Sequence, residues 1–514
     1  MNQKSRIQNA IKNVGIAGIL QIMTLILSFV SRTFFVKLLG NDYLSCEGLF
    51  SNILTILSFS ELGIGSAIIF SLYKPIADED QKQICKLMNL FRTAYRYIAL
   101  FITLAGMALI PFLDILISDV PDIKESIALL YCLFLANTVA SYILGYKRTF
   151  LIANQENYIV LLVQQGIHVI KIVIQIWFLY LTHDYVLFLL ISIICTLATN
   201  ITTTIITDRK YPWLNHNKNE KLTKSERKPI FANISAIVQY KLGSVVLNGT
   251  DNIIISVVLK TSLVGLVSNY NLIISALNTI ANQACSGLQA TIGNFNVSND
   301  ADGRYRIFRQ LYFISFWVFG FCAISLANLL TPFVSGVWLG KEYSLPYDVV
   351  LALSLSFYIL FINTIPYTYR CTLGYFKDAR MCPLYASILN VVLSVVLAQR
   401  IGLSGIFFAT AISRFLTYNI IDPIHVFRKG FGRSEKDFFA EFFTYLGVLV
   451  ITYLTAAMCV NFVSGTGFGA FIIKFAVNCV ACNAVFLACF FRTSIFRETV
   501  NTLLLFLRRR KGRA

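Results

Sequence analysis

From Val186 to Thr207 the chain reads VLFLLISIICTLATNITTTIIT, twenty-two residues without a charge, and Asp208-Arg209-Lys210 follow at once. At about 1.5 Å per residue such a helix is roughly 33 Å long, which matches the hydrocarbon core of a bilayer. An apolar run of this length, closed by a basic cluster, reads as a membrane span whose C-terminal end lies on the positive, inner side.

The same pattern recurs in both directions. Apolar stretches run over 13–36, 44–72, 95–118, 126–146, 158–181, 186–207, 230–259, 263–290, 311–337, 347–369, 383–399, 403–427, 438–462 and 467–491. The split between the eleventh and twelfth falls around Ala398-Gln399-Arg400-Ile401-Gly402. Of the 514 residues, 56% are hydrophobic and 14% charged, against roughly 25% charged in a soluble domain. The chain cannot cover itself with polar groups, which excludes an ordinary soluble enzyme, and the apolar content excludes disorder. The expected fold class is all-α integral membrane, with about 14 transmembrane helices.

The formal net charge is +18. With the N-terminus inside, only Lys37, Lys124, Lys260, Lys341 and Arg400 fall in outside loops. This bias places both termini in the cytoplasm of a multi-pass membrane protein and requires an even number of spans. The basic excess is topogenic and lipid-facing rather than a nucleic-acid footprint. The start, Met1 to Arg6, runs into a full span without a small-residue cleavage site, so the first helix reads as an uncleaved anchor. Most of the twelve cysteines lie inside spans. Cys479 and Cys482 are spaced C-x-x-C but lack a second pair or a nearby His, so no metal is expected.

The chain repeats at an offset of 220. Asn13 falls on Asn233, Leu39 on Leu259 and Ser66 on Ser286. In span 1, Gln21, Thr24, Ser28 and Ser31 keep to one helix face, and they map onto Lys241, Ser244, Asn248 and Asp251. In span 2, Ser51, Thr55 and Ser58 map onto Asn271, Ser275 and Asn278, and Glu47 and Glu61 extend the stripe. Polar stripes must face protein or water. Helix packing accounts for Ser and Thr. It accounts poorly for Lys241 and Glu61, since a charge at mid-bilayer costs about 2.5–3.5 kcal/mol. Six spans separate the copies, so the halves point the same way, as in transporters built from parallel repeats. The expected organisation is an N-lobe 1–207, a basic linker 208–229, a C-lobe 230–427, two further spans in 428–491 and a basic amphipathic tail 492–514.

Intramembrane charges give the candidate site. Arg32, Lys171, Lys241, Arg370 and Arg414 outnumber Glu61 and Asp251. A surplus of Arg and Lys donors favours an anionic substrate with phosphate oxygens. Gln21, Ser28, Ser51, Asn248, Asn271 and Asn278 line the expected cavity, and Glu61 and Asp251 are candidates for ion coupling or gating. Arg32 either pairs with Asp251 or snorkels to the headgroups. His168 reads as a packed core residue, and Asp422-Pro423 as a local helix break. The stretch from Ala77 to Arg96 and the tail from Leu503 to Lys511 read as amphipathic helices on the inner membrane surface. Outside loops are short and no phosphate-loop motif is present, so neither an external catalytic domain nor ATP-driven pumping is expected.

Ser60-Glu61-Leu62-Gly63-Ile64-Gly65-Ser66-Ala67, followed by Ser71-Leu72-Tyr73-Lys74-Pro75, and Val267-Ser268-Asn269-Tyr270-Asn271-Leu272-Ile273-Ile274 resemble segments of Wzx-type oligosaccharide flippases. These belong to the multidrug/oligosaccharidyl-lipid/polysaccharide (MOP, MATE-like) exporter superfamily. The resemblance covers residues 1–430 in span layout. It implies a non-enzymatic flippase that carries undecaprenyl-pyrophosphate-linked oligosaccharide across a bacterial cytoplasmic membrane by alternating access, for capsule, O-antigen or exopolysaccharide. It further implies H⁺ or Na⁺ coupling without other cofactors, and a pathway with a polymerase and glycosyltransferases as partners. Lys241, Arg32 and Arg370 would contact the pyrophosphate or an acidic sugar. The alternatives are a lipid II flippase, a multidrug antiporter of the same fold, and a membrane glycosyltransferase or polymerase.

Overall fold

The computed structural model describes residues 3–58, 64–119, 121–215, 249–298, 300–375 and 379–511, with isolated positions between 222 and 247. The described residues form helices joined by short loops, without a strand. Two compact units emerge, 1–269 and 270–514.

The first unit holds α1 (Gln3–Leu39), α2 (Asn41–Leu57), α3 (Ile64–Ala77), α4 (Gln81–Leu109), α5 (Ile127–Tyr142), α6 (Tyr146–Ala153), α7 (Asn157–Thr182) and α8 (Tyr185–Lys210). It also includes the start of α9 (Ser262–Ser298). The second unit continues with α10 (Ala301–Phe333), α11 (Tyr347–Ile362), α12 (Thr364–Thr372), α13 (Cys382–Ile401), α14 (Leu403–Leu416), α15 (Tyr418–His425), α16 (Glu435–Asn461), α17 (Phe468–Phe490) and α18 (Ser494–Lys511). Among the described residues, nine helices are long and apolar enough to cross a membrane. The pair α5 and α6, bent by 45°, makes a tenth if counted as one span. Val173, Trp177 and Leu181 on α7 and Ile194 on α8 are exposed apolar side chains, as a lipid-facing surface requires.

Helix starts are fixed by local chemistry that repeats. Asp80 caps α4 by accepting from the Gln83 amide at 2.9 Å, and 220 residues later Asp300 caps α10 from Gly303 at 2.9 Å. The helices α5 and α11 begin at Ile127 and Tyr347, again 220 apart, and α2 and α9 begin at Asn41 and Ser262, within one residue of the same offset. The offset read from sparse identities is therefore carried by helix boundaries. The corner between α13 and α14 turns at Gly402, which adopts φ +67, a region L side chains avoid. A Cβ on Gly405 would lie 2.4 Å from the Leu397 carbonyl oxygen, so the corner also needs glycine there.

Two expectations require correction. The amphipathic stretch 77–96 does not form a separate surface helix: Gln81–Leu109 is one helix, and its apolar face, Ile84, Leu87 and Phe91, is buried in the protein. The spacing was sound, but neighbouring helices, not lipid, cover that face. The expected span 403–427 is interrupted at Thr417 and resumes as α15, with Pro423 inside it.

The core of the second unit is aromatic. Phe308, Tyr312, Phe316, Phe438 and Tyr445 join α10 to α16, with Tyr312 and Phe438 ring centroids 5.0 Å apart and Phe316 and Tyr445 4.5 Å apart. Such pairs contribute about 0.5–1.5 kcal/mol beyond area burial. Asn328 and Asn478 hydrogen-bond at 3.0 Å between α10 and α17, a polar link that apolar surroundings strengthen.

Candidate functional site

The helix α7 carries Gln164, His168, Lys171 and Gln175 at intervals of four, three and four, so one face of an otherwise apolar helix is polar. Its neighbours tie that face down at both ends. Thr24 on α1 donates to Gln165 Oε1 at 2.8 Å. Gln175 is buried and donates to the Phe188 carbonyl at 2.9 Å and to Ser192 Oγ at 2.7 Å on α8. The helix α8 presents Thr196, Thr199 and Asn200 toward the same space. Asn200 Nδ2 donates to the carbonyls of Ala140, Ser141 and Ile143 at 3.1, 3.1 and 2.9 Å. It thereby satisfies backbone groups freed where α5 breaks from α6.

Between these elements lies a cavity of about 350 Å³, entirely within the first unit. Its lining includes Lys171, His168, Arg148, Gln164, Thr199 and no carboxylate. Lys171 and Arg148 form no ion pair among the described residues, and His168 Nε2 is buried without a hydrogen bond to the protein. Lys171 lies fourteen residues along α7, about 21 Å from its first residue, and hence near mid-membrane. A cavity with cationic and amide donors and no acid is suited to a multiply accepting anion.

The other sequence candidates divide clearly. Arg32 pairs with Glu47 on α2 at 3.7 Å, in place of the expected pair with Asp251. Glu47 also acts electrostatically on Lys171. Arg370 is buried on α12, with Nε 2.6 Å from Asp422 Oδ1 and Nη1 3.2 Å from the Tyr375 carbonyl oxygen. Asp422 is fully buried and also accepts from Asn363 at 2.8 Å. That guanidinium is committed to the second unit's interior and offers substrate no free charge. The first unit has a counterpart: buried Lys147 on α6 pairs with Asp208 on α8. Arg414 is part-buried on α14. Ser51 and Thr55 are exposed on α2, and Ser275, at Thr55 plus 220, is exposed on α9, so mere packing does not explain those positions. Gln21, Ser28, Asn271 and Asn278 are half-buried, and Asn278 Oδ1 lacks a hydrogen bond. Asp251 opens a short helical turn and is half-buried. Lys241, Asn248 and Glu61 lie outside the described residues.

Sequence reasoning set His168 and Asp422 aside. The i, i+3 spacing of His168 and Lys171 was a usable signal for the first. Nothing local marked the second, since its partner is 52 residues away. Among the described residues no cluster of His, Cys, Asp and Glu could hold a metal.

No family model and no curated protein sequence matches the chain. Solved structures do. The chain is similar to "Lipid II flippase MurJ, inward closed conformation", with a TM-score of 0.61 and 14% identity, over 92% of this chain and 98% of that one. It is similar to "Inward-facing conformation of a multidrug resistance MATE family transporter of the MOP superfamily", with a TM-score of 0.61 and 12% identity, over 77% and 92%. An outward-facing MATE transporter gives a TM-score of 0.52 and 13% identity, over 81% and 93%. The chain is thus an all-α, multi-pass membrane protein with the fold shared by flippases and transporters of the MOP superfamily.

Proposed function

We propose that the chain is a flippase for oligosaccharide repeat units linked to undecaprenyl pyrophosphate, moving them from the inner to the outer leaflet of a bacterial cytoplasmic membrane. The observation that carries this reading is the acid-free cavity around Lys171, His168 and Arg148. A pyrophosphate brings several acceptor oxygens and at least two negative charges. Lys171 Nζ, the Arg148 fork and the Gln164 amide supply donors, and a hydrogen bond to a charged group contributes about 1.5–3 kcal/mol. The polyprenyl tail stays in lipid, so the protein moves only the polar head. No bond is made or broken, and the chain acts as a transporter rather than an enzyme.

Lys241 and Arg32 remain proposed contacts to pyrophosphate or acidic sugar, and Glu61 or Asp251 a proton or Na⁺ site driving the return step. The proposed lobes are 1–207 and 230–427, with both termini cytoplasmic and the polymerase and glycosyltransferases of the pathway as partners. A second reading, transport of lipid II, is favoured by one observation: the likeness to the lipid II flippase extends over 92% of the chain, which takes in residues beyond the two six-span lobes.

The test is transport of a fluorescent lipid-linked oligosaccharide in proteoliposomes. Lys171→Gln, checked for unchanged thermal stability, is expected to lower the rate at least tenfold, from the loss of one charged contact of about 1.5–3 kcal/mol. An unchanged rate overturns the assignment of the cavity. Faster transport of lipid II than of the oligosaccharide carrier favours the second reading.

A further inference from the structure

A second cavity, of about 500 Å³, lies elsewhere in the first unit, at the end of α4 and α8 that carries the basic residues Arg92, Arg96, Arg209 and Lys210. It exists because α5 stops at Tyr142 and α6 restarts at Tyr146, with Leu144 at φ +62 between them. The bend parts the chain from α4 and leaves room between them.

The charges in this cavity are unevenly matched. Asp208, the sole acid in the lining, is paired with buried Lys147, which also donates to Asn215 Oδ1 at 3.3 Å. Arg92 and Arg96 stand one turn apart on α4 and both act on the Tyr146 hydroxyl. Neither forms an ion pair among the described residues. Arg92 Nε and Thr204 Oγ1 are buried and make no hydrogen bond within the protein. A buried guanidinium donor left unmatched is costly, and a tetrahedral anion with several acceptor oxygens would satisfy it together with the hydroxyl.

The mouth of the cavity shows where that anion comes from. Ile143 and Leu144, which line it at the break between α5 and α6, are exposed apolar residues, and so are Tyr97 and Leu100 on α4, next in sequence to the lining residues Arg96 and Ala99. A site rimmed by lipid-facing side chains is reached sideways, from the interface between headgroups and hydrocarbon.

We propose that this cavity is a binding site for a phosphate group, held by Arg92 and Arg96 with Tyr146 and Thr204, and that a lipid headgroup supplies it. The site is separate from the Lys171 cavity and stands whatever the transporter carries. A bound headgroup would brace the broken α5–α6 segment against α4.

The experiment titrates the purified full-length chain with phosphatidylglycerol, phosphatidylcholine or inorganic phosphate, reading affinity by native mass spectrometry and stabilisation by thermal unfolding. Removing one surface cation near a headgroup weakens binding about fivefold, so Arg92→Gln with Arg96→Gln is expected to weaken phosphatidylglycerol about 25-fold. Arg92→Lys with Arg96→Lys keeps the charge, is expected to retain most of the affinity, and controls for folding. Arg306→Gln, an exposed arginine in the second unit, is expected to change nothing. Preference for phosphatidylglycerol over phosphatidylcholine, lost in the double glutamine variant, supports a lipid headgroup. Stabilisation by inorganic phosphate alone, lost in the same variant, supports the phosphate site with a soluble source. Equal affinity of wild type and a folded double glutamine variant, or no response to any phosphate, overturns the proposal.

Discussion

The buried pair Arg370–Asp422 offers a quantitative test of what each cation in this membrane protein does. Both side chains are nearly inaccessible, 4% and 0% exposed, and their N–O distance is 2.6 Å. Removing either partner strands the other charge in the interior, at about 3–5 kcal/mol. Arg370→Met and Asp422→Leu should each cost that much, and simple addition would place the double variant about 6–10 kcal/mol below wild type. The double variant, however, strands no charge. It leaves only neutral groups unmatched, the Asn363 amide without its acceptor at 2.8 Å and the Tyr375 carbonyl without its donor at 3.2 Å, and a neutral buried group costs about 1–3 kcal/mol. The expected outcome is a double variant more stable than either single one, measured by unfolding in mixed micelles. It should also transport, because the pair holds the second unit together rather than holding substrate. Additive losses would refute the reasoning about the pair. A stable double variant that no longer transports would return Arg370 to the substrate site.

Two further predictions concern hydrogen bonds that fix loops and helix breaks in the first unit. Asp119, in the loop after α4, accepts from the Thr261 and Ser262 amides at the start of α9. Burial alone would raise its carboxyl pKa, but these hydrogen bonds outweigh it and hold it below its ordinary value. The clasp is thus fully present above the unfolded-state pKa and is lost as pH falls through the lower folded value. Amide exchange at Thr261 and Ser262, corrected for its intrinsic pH dependence, should stay slow down to about pH 4 and quicken below it; in Asp119→Asn it should be quick at pH 7 as well. Asn200→Ala removes the donor to three carbonyls at the α5 break and should cost about 2–3 kcal/mol. Its exchange protection should fall at residues 140–146 while the rest of α8 is unchanged.

The span pattern was legible because a bilayer dictates both length and polarity. The uncharged run 186–207 lies within one helix, Tyr185–Lys210. The division between the eleventh and twelfth spans falls around 398–402 in the sequence, and the structure turns there at Gly402. The repeat was only faintly visible in identities, yet the paired caps Asp80 and Asp300 stood in the sequence as Asp residues three before Gln83 and Gly303. What spacing could not give was which helix covers which face. Ile84, Leu87 and Phe91 form an apolar stripe whether lipid or protein lies against it. In the same way Arg32 could be seen as an intramembrane cation, but its choice of Glu47 over Asp251 depends on packing between helices. The acid Asp422 was hidden because its proline neighbour suggested a break there, whereas the structure keeps both residues inside α15 and breaks at Thr417, and because its partner lies on another helix. Lys171 was legible as a charge at mid-span. The cavity beside it needed α1, α7 and α8 in place.

The account rests on transport of a phosphate-linked glycan lipid, and deletion of the gene tests that most directly. Surface polysaccharide and lipid-linked precursor would be measured together, with the precursor's sidedness read by an impermeant glycan-cleaving enzyme. The account predicts loss of surface glycan, with intact precursor trapped on the cytoplasmic side and restored by wild type but not by Lys171→Gln. Unchanged surface glycan in a strain without a second flippase would contradict it, as would single repeat units accumulating outside.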